Sequence, residues 1–449
     1  MQRTPAQRFS ILRTMKIGSF HIGSSFVDLL TSGVLNRILI SDLHIWATPV
    51  ALLSALRYLL APLSIWAGYC SDTRPIVGMH RLPYIWIGRL PMVISLPLLP
   101  VVTVMLAANP TSPLGWVLAT LSFLIYGVGT LLSGGTFMAL VRDTAPPAQR
   151  GIAMSIVQMF LIISFPVAGI VYGRMLPHYD PAVFWRVILT GMAISLFFFF
   201  FSIFGEERAG QGIVADEPHE YVPFMQLLRE LWADRRTRLF FIFLALGAAS
   251  ASAQDAILEP FGGDVFKMAA GETTRFNAYW GVGVLITLPG TIVLTRRRMA
   301  YEQTSTTVIG LTITAAALII LSLVAMSALR SLLIPVLVLF GLGYGIYTVG
   351  ALSLLMAMTS DRRAGAYLGL WTVAQLVFRG VGIFLGGAGR DVFLWLSHSH
   401  TLAYAAVFLI EGLGLLACAV LVIKVDVPGF ARSEQAHATR AASLASVDV

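Results

Sequence analysis

The stretch Gly68-Tyr69-Cys70-Ser71-Asp72-Thr73-Arg74-Pro75-Ile76-Val77-Gly78-Met79-His80-Arg81 is a short charged turn set between two long apolar runs, near 47–70 and 82–106. Each run exceeds the roughly 20 apolar residues that a helix needs to cross a bilayer. The turn therefore sits at a membrane rim. Gly68 is small enough to let two helix ends approach closely. Asp72 can pair with Arg81 or sit at the N-terminus of a neighbouring helix, where the helix dipole favours a negative charge. Arg74 and Arg81 mark the side on which this turn lies, because cytoplasmic loops collect Arg and Lys.

Working outward from this turn, further apolar runs lie near 17–40, 114–140, 151–175 and 183–204. A second set lies near 239–261, 276–295, 305–327, 331–358, 366–389 and 400–423. The pattern predicts an all-α membrane protein with twelve transmembrane helices. Its parts are a cytoplasmic N-terminus (1–16), a six-helix bundle (17–204), a cytoplasmic linker (205–238), a second six-helix bundle (239–423) and a cytoplasmic tail (424–449). Within the linker, Tyr221 to Trp232 is amphipathic and reads as a surface-lying segment. Composition agrees: 57% of residues are hydrophobic and 12% are charged, where a soluble domain carries roughly 25% charged residues. The formal charge of +8 is then a property of inner loops and not a nucleic-acid surface. With the N-terminus inside, roughly two-thirds of the Lys and Arg fall on the inner side, as the positive-inside rule requires. No small-residue cleavage site follows the first apolar run, so it reads as a retained helix. Cys70 and Cys418 lie far apart in or beside apolar runs, which predicts neither a disulfide nor a metal site. No phosphate loop or catalytic constellation is visible, so an enzyme is not expected.

A second turn, Asp143-Thr144-Ala145-Pro146-Pro147-Ala148-Gln149-Arg150-Gly151, occupies the next inner loop. The two halves also correspond: Asp28 lies in the first span and Asp255 in the seventh, and acid, Arg and Gly recur after the tenth span at Asp361-Arg362-Arg363-Ala364-Gly365. Gly68, Asp72, Arg81, Asp143 and Arg150, at matched places in a twelve-span chain, resemble the signature loops of the major facilitator superfamily. That resemblance implies two six-helix halves about an axis along the membrane normal, with the charged loops as a conformational motif at the cytoplasmic rim.

Charges inside spans are expensive and therefore informative. At 1.5 Å per residue Asp28 lies about 18 Å from the inner start of its helix, near mid-membrane. Arg57 and Arg379 come out at similar depth. Asp255 and Glu259 are four residues apart, so one helical face should carry both carboxylates. Pro260 and Gly262-Gly263 follow and should break that helix, and irregular backbone at membrane depth is tolerated where it is buried or lines a cavity. The run Gln254 to Gly263 is thus the first candidate for a gate or binding element. The plainer alternative is that Asp255 and Glu259 pair with Arg57 or Arg379 as structural ion pairs. Arg89 and Arg37 lie toward span ends and can snorkel to the interface. Glu411 sits at mid-depth on the last span. Glycines 127–135 and 341–345 allow close backbone packing.

A narrower resemblance rests on Asn36-Arg37, Ser71-Asp72-Thr73, Arg81-Leu82-Pro83-Tyr84-Ile85-Trp86, Gln254-Asp255, Leu258-Glu259-Pro260-Phe261-Gly262-Gly263, Val265-Phe266 and Gly271-Glu272-Thr273-Thr274-Arg275. These residues resemble the PucC/LhaA family, also called the bacteriochlorophyll delivery family. The resemblance covers nearly the whole chain. It implies a protein of the inner or intracytoplasmic photosynthetic membrane that assists assembly of light-harvesting antenna complexes. Its expected partners are antenna polypeptides and the bilayer, with (bacterio)chlorophyll as a ligand and no tightly bound cofactor. On this reading Gln254, Asp255, Glu259, Asp28, Arg57, Arg379 and His21 are pigment, substrate or gating candidates. His21 is included because a ring nitrogen can ligate the magnesium of a chlorophyll, although a histidine that only packs helices is the plainer reading. Phe261 stands where a tyrosine is common, and Asp264 where a neutral residue is expected. Two other readings stay open: a proton-coupled small-molecule transporter using Asp28, Asp255 and Glu259, and a packing chaperone that never touches pigment.

Overall fold

The computed structural model describes residues 9–146, 149–207, 232, 234–358 and 364–430. The expected surface segment Tyr221 to Trp232 (all but Trp232), the Asp361-Arg362-Arg363 turn and the tail after 430 lie outside the described residues. Eleven helices among the described residues are long and apolar enough to cross a membrane. They are α2 (Ala47–Thr73), α3 (Leu82–Ala108), α4 (Pro113–Thr144), α5 (Arg150–Met175), α6 (Pro181–Ile203), α7a (Arg235–Ala256), α8 (Ala270–Thr295), α9 (Thr304–Ser327), α10 (Arg330–Ala357), α11 (Gly369–Ser397) and α12 (His400–Phe430). The remaining predicted span, 17–40, falls in α1, a composite run over 11–42. There α-helical stretches alternate with π-helical turns at Leu30–Val34 and Ile38–Asp42. A short helix α7b (Leu258–Phe266) follows α7a.

Helix starts follow from local chemistry. Ser112 accepts a hydrogen bond from Gly115 N (3.3 Å) and Pro113 opens α4. Asp180 accepts from Val183 N (2.9 Å) and Pro181 opens α6. A capping oxygen satisfies an orphan N–H, and proline at the first position gives up only an N–H that had no partner. Pro62 explains the interruption of α2 after Leu59, because it has no N–H to donate and its ring would clash with the Tyr58 carbonyl in a continuous helix.

The chain forms two compact units. The first gathers Met1–Ala215 with Ala253–Gly281 and Ile383–Tyr404. In it α3 and α4 meet backbone to backbone at Gly88 and Gly129, and α5 meets the start of α8 at Gly173 and Gly271. Any side chain at these positions would strike the facing main chain, so small residues set the helix spacing here. At Gly68 nothing among the described residues lies within 4 Å of the position a side chain would take. Ile65, Trp66, Ile87, Phe197 and Phe200 are exposed, as lipid-facing side chains are.

The second unit holds Asp216–Ser252, Val282–Gly382 and Ala405–Val449. Gly310 of α9 packs on the Tyr347 backbone of α10, and Gly343 and Gly350 of α10 pack on Thr314 and Thr307 of α9. An aromatic cluster of Phe240, Phe241, Phe378 and Trp371 ties α7a to α11.

Candidate functional site

Four groups of polar side chains lie in the first unit. At mid-helix, Arg57 of α2 donates to Asp28 of α1 (3.0 Å), to Tyr126 Oη of α4 (3.0 Å) and to the neighbouring Tyr58 Oη (2.6 Å). Its guanidinium also lies over the Tyr58 ring. Arg57 is therefore engaged by an acid of its own bundle and not by Asp255 or Glu259, which settles part of the alternative left open by sequence. Arg379 belongs to the second unit.

Glu259 forms the second group. The run 251–263 does not break as its proline suggests. α7a ends in a 3-10 turn, Ala253–Ala256, and Leu258 starts α7b, so Pro260 sits in the first turn of a new helix. In a continuous helix the Pro260 ring would clash with the Ala256 carbonyl, so the interruption falls upstream of the proline. Asp255 and Glu259 consequently do not share one α-helical face, a correction to the expectation from spacing. Gln254 donates to Asp255 (3.2 Å) within the turn. Glu259 is 4% exposed. Its carboxylate accepts from Asn277 Nδ2 (2.7 Å) and Thr274 Oγ1 (3.3 Å), both on α8. It presses against Gly33, in the first π turn of α1, so closely that no side chain fits at that glycine. Among the described residues Glu259 has neutral donors only and no ion pair.

The third group closes the end of the unit opposite the Gly68–Arg81 turn. Arg37 of α1 is buried and does not snorkel: it pairs with Asp42 (3.0 Å) and donates to Met268 O (3.0 Å). Asp264 of α7b accepts from Arg390 (2.8 Å) and from Tyr404 Oη (2.6 Å). Arg390 also holds Asp391 (2.9 Å). Asp391 in turn accepts from Ala47 N (3.0 Å), Thr48 N (2.6 Å) and Thr48 Oγ1 (2.6 Å), capping α2. Sequence reading noted Asp264 only as a departure and missed Arg390 and Asp391, which follow the apolar run 366–389 and look like loop residues. The signal was an Arg-Asp pair directly beyond a span end.

The fourth group sits at the Gly68–Arg81 turn. Arg81 is buried and bridges Asp72 and Asp143, donating to each (2.9 Å to Asp143) as well as to Ser71 Oγ. Glu207 caps α3 by accepting from His80 N (2.6 Å), Arg81 N (3.0 Å) and Leu82 N (2.7 Å). Glu206 accepts from Arg13 (2.6 Å) and Lys16 (2.8 Å) of α1. Arg150 opens α5 and makes no bond to the Arg81 cluster among the described residues. Glu206 and Glu207 fall in the stretch 205–238 that the sequence assigns to the linker. His21 stands apart from all four groups: its ring meets Phe20 and Phe137 edge-on, and both ring nitrogens are buried without a hydrogen-bond partner among the described residues.

An uncharacterised protein from the puhA–bchM intergenic region of Rhodobacter capsulatus is 27% identical over 437 residues, covering 93% of this chain and 90% of that one. Protein PucC of Cereibacter sphaeroides is 26% identical over 434 residues, covering 93% and 92%. A Rhodobacter capsulatus protein named bacteriochlorophyll synthase 44.5 kDa chain is 27% identical over 395 residues, covering 85% and 88%. Among solved structures, a point mutant of the nucleoside transporter NupG superposes with a TM-score of 0.67 at 13% identity, covering 92% of this chain and 98% of that one. A bacterial homologue of the iron transporter ferroportin superposes at 0.63 and 14%, covering 93% and 100%. These likenesses give the transporter-type fold that the signature loops implied. The PUCC protein family model matches residues 34–430, and the chain belongs to that family.

Proposed function

We propose that this protein is a light-harvesting antenna assembly factor that binds (bacterio)chlorophyll and hands it to antenna polypeptides in the inner membrane of a phototrophic bacterium, with both termini in the cytoplasm. Family membership over residues 34–430 carries this reading, and a relative named for bacteriochlorophyll synthesis points the same way. The chemistry of the first unit suits it. A magnesium tetrapyrrole asks for an axial ligand, donors for its carbonyls and an apolar groove for its tail. Glu259 offers a buried carboxylate with no ion pair among the described residues, and Gln254 lies five residues before it. On α8, Asn277 Nδ2 donates to Glu259 and carries a second N–H, and Trp280 Nε1 orients that amide by donating to Asn277 Oδ1. An apolar cavity of about 450 Å³ between α1 and α5, lined by Met15, Ile22, Phe160, Ile163 and Val167 among others, is suited to a hydrocarbon tail.

A second reading, a proton-coupled small-molecule transporter, is favoured by the Asp28–Arg57 pair inside the bundle in a transporter-type fold. One experiment separates them: the absorption spectrum of protein purified gently from its host, beside an Asp255→Ala/Glu259→Ala double variant of equal yield. A stoichiometric bacteriochlorophyll band in the wild type that is lost in the variant supports delivery. Pigment-free protein that retains antenna polypeptides indicates a chaperone without pigment contact. Protein that carries neither moves the transporter reading forward, to be checked by gradient-dependent uptake in vesicles.

A further inference from the structure

Arg89 of α3 is, among the described residues, a charge without a counter-charge. It is 5% exposed. Its one hydrogen bond among the described residues reaches Met92 Sδ at 3.7 Å, and its Nε is buried with no partner. The guanidinium lies over the rings of Phe20 (4.8 Å) and Phe199 (4.9 Å). Aromatic faces attract a cation, more strongly when it is desolvated. That attraction alone falls well short of the cost of bringing an ion out of water. Asp28 is the acid whose charge reaches Arg89, but Arg57 already holds that carboxylate.

The same pocket contains a second orphan. His21 follows Phe20 in α1, and its ring meets Phe137 at 5.2 Å. Phe137 in turn stacks on Phe20 at 4.0 Å. Both His21 ring nitrogens are buried and unpartnered among the described residues. Buried polar groups in folded proteins are almost always hydrogen-bonded, and groups that are not call for a partner supplied from elsewhere. Two basic side chains with unused donor positions, walled by Phe20, Phe137 and Phe199, have the composition of an anion site and not of a packing contact.

Its place in the fold says how a ligand would arrive. Arg89 lies seven residues past the start of α3, roughly 10 Å into the membrane from the Gly68–Arg81 end. Its neighbours Ile87 and Leu90 on α3, and Phe200 next to Phe199 on α6, are exposed on the lipid-facing surface. Trp86 and Phe200 meet across that surface at 6.5 Å. Lipid-facing side chains, aromatics among them, therefore separate the site from the bilayer.

We propose that Arg89, with His21 beside it, binds the single negative charge of an acyl-chain-bearing oxyacid, a carboxylate or a phosphodiester, that enters from the membrane between α3 and α6. This inference goes beyond the delivery reading and stands without it. The test uses the full-length protein in nanodiscs of neutral phosphatidylcholine, titrated with the fluorescent fatty acid cis-parinaric acid. Wild type should bind about one equivalent saturably, and Arg89→Met should bind at least about tenfold more weakly. Phosphatidylglycerol introduced into the discs separates the two sources. Competition with the probe identifies a lipid phosphate as an occupant, and its absence leaves a carboxylate. Saturable binding of neither probe, or equal affinity in wild type and Arg89→Met, overturns the proposal. Ligand-free melting supplies the structural control. A ligand site predicts an Arg89→Met Tm no lower than wild type, and a large fall in Tm with unchanged probe affinity overturns the proposal. Should Arg89→Met fail to fold, Arg89→Lys keeps the charge but loses the planar fork. It should still bind several-fold more weakly, and wild-type affinity in Arg89→Lys would overturn the proposal.

Discussion

The Asp391 carboxylate accepts hydrogen bonds from both the main-chain N–H and the hydroxyl of Thr48, each at 2.6 Å, and so caps a helix 343 residues away in the sequence. A cap supplied from a distant segment ties folding of α2 to the correct seating of the last residues of α11. Replacing Asp391 with Ala should cost about 1–2 kcal/mol, the upper part of the range for lost caps. Thermal melting of Asp391→Ala, Thr48→Val and the double variant checks this. The two changes should be less than additive, because each removes the bond between the Thr48 hydroxyl and Asp391.

Asp264 and Arg390 are both about 4% exposed at their side chains and pair at 2.8 Å. Asp264→Ala leaves Arg390 with Asp391 as its acid and strips the Tyr404 hydroxyl of its acceptor. Breaking a buried pair on one side typically costs about 3–5 kcal/mol. The double change Asp264→Leu/Arg390→Met should recover much of that loss in a detergent melt. A double variant as unstable as Asp264→Ala would show that the pair acts by position rather than by charge compensation.

Glu259→Gln should keep the bond with Thr274 and nearly wild-type stability, whereas Glu259→Ala leaves Asn277 Nδ2 short of an acceptor, at about 1–3 kcal/mol. Gly33→Ala should be as harmful as Glu259→Ala, because its methyl would displace the same carboxylate. If pigment binds at Glu259, all three variants should lower the pigment content of purified protein, and Gln should do so with Tm unchanged.

At the opposite end the Arg81 hub separates two acids by exposure. Asp72 is 56% exposed and Asp143 24% at their side chains. Asp72→Asn should change stability by less than about 1 kcal/mol, as exposed pairs do, and Asp143→Asn by more. Glu207→Ala should exceed both in a thermal melt, since three N–H groups at the start of α3 lose their acceptor.

Asp234 caps α7a just outside the membrane-spanning segment. Burial pushes its carboxyl up, but hydrogen bonds from the Thr237 hydroxyl and from the Thr237 and Arg236 N–H groups, with the Arg236 charge, outweigh it and hold the pKa below the ordinary carboxylate value. A lowered folded pKa means that the stabilisation is complete above the unfolded pKa and is lost as pH falls through the folded one. Wild-type melting should therefore drop more steeply than that of Asp234→Asn as pH falls below about 4.

Much of this was legible in the sequence. Apolar runs and turn residues placed eleven spans to within about eight residues at either end, because a bilayer imposes length and polarity on every helix that crosses it. The PUCC resemblance and the singling out of Glu259 followed from the same run of residues. What sequence could not supply was pairing. Arg57 had several acids within plausible reach, and only packing chose Asp28. Arg37 and Arg89 look like snorkelling residues by depth, yet both are buried, because the neighbouring helix wall and not depth decides where a long side chain ends. The position of the α7 break was missed since proline can kink a helix or begin one, and the Ala256 carbonyl decides which.

The π turns of α1 have one more consequence. A π turn holds one residue more than the α-helix would use for the same rise, so it works as a phase shift in an otherwise continuous rod. Residues beyond Leu30–Val34 face directions about 100° away from those a regular helix would assign. Loss of a single residue within that segment would leave a fully helical α1 and yet turn Arg37 from Met268 and carry the Gly33 gap away from Glu259. In this helix the count of residues, as much as their identity, aims the side chains.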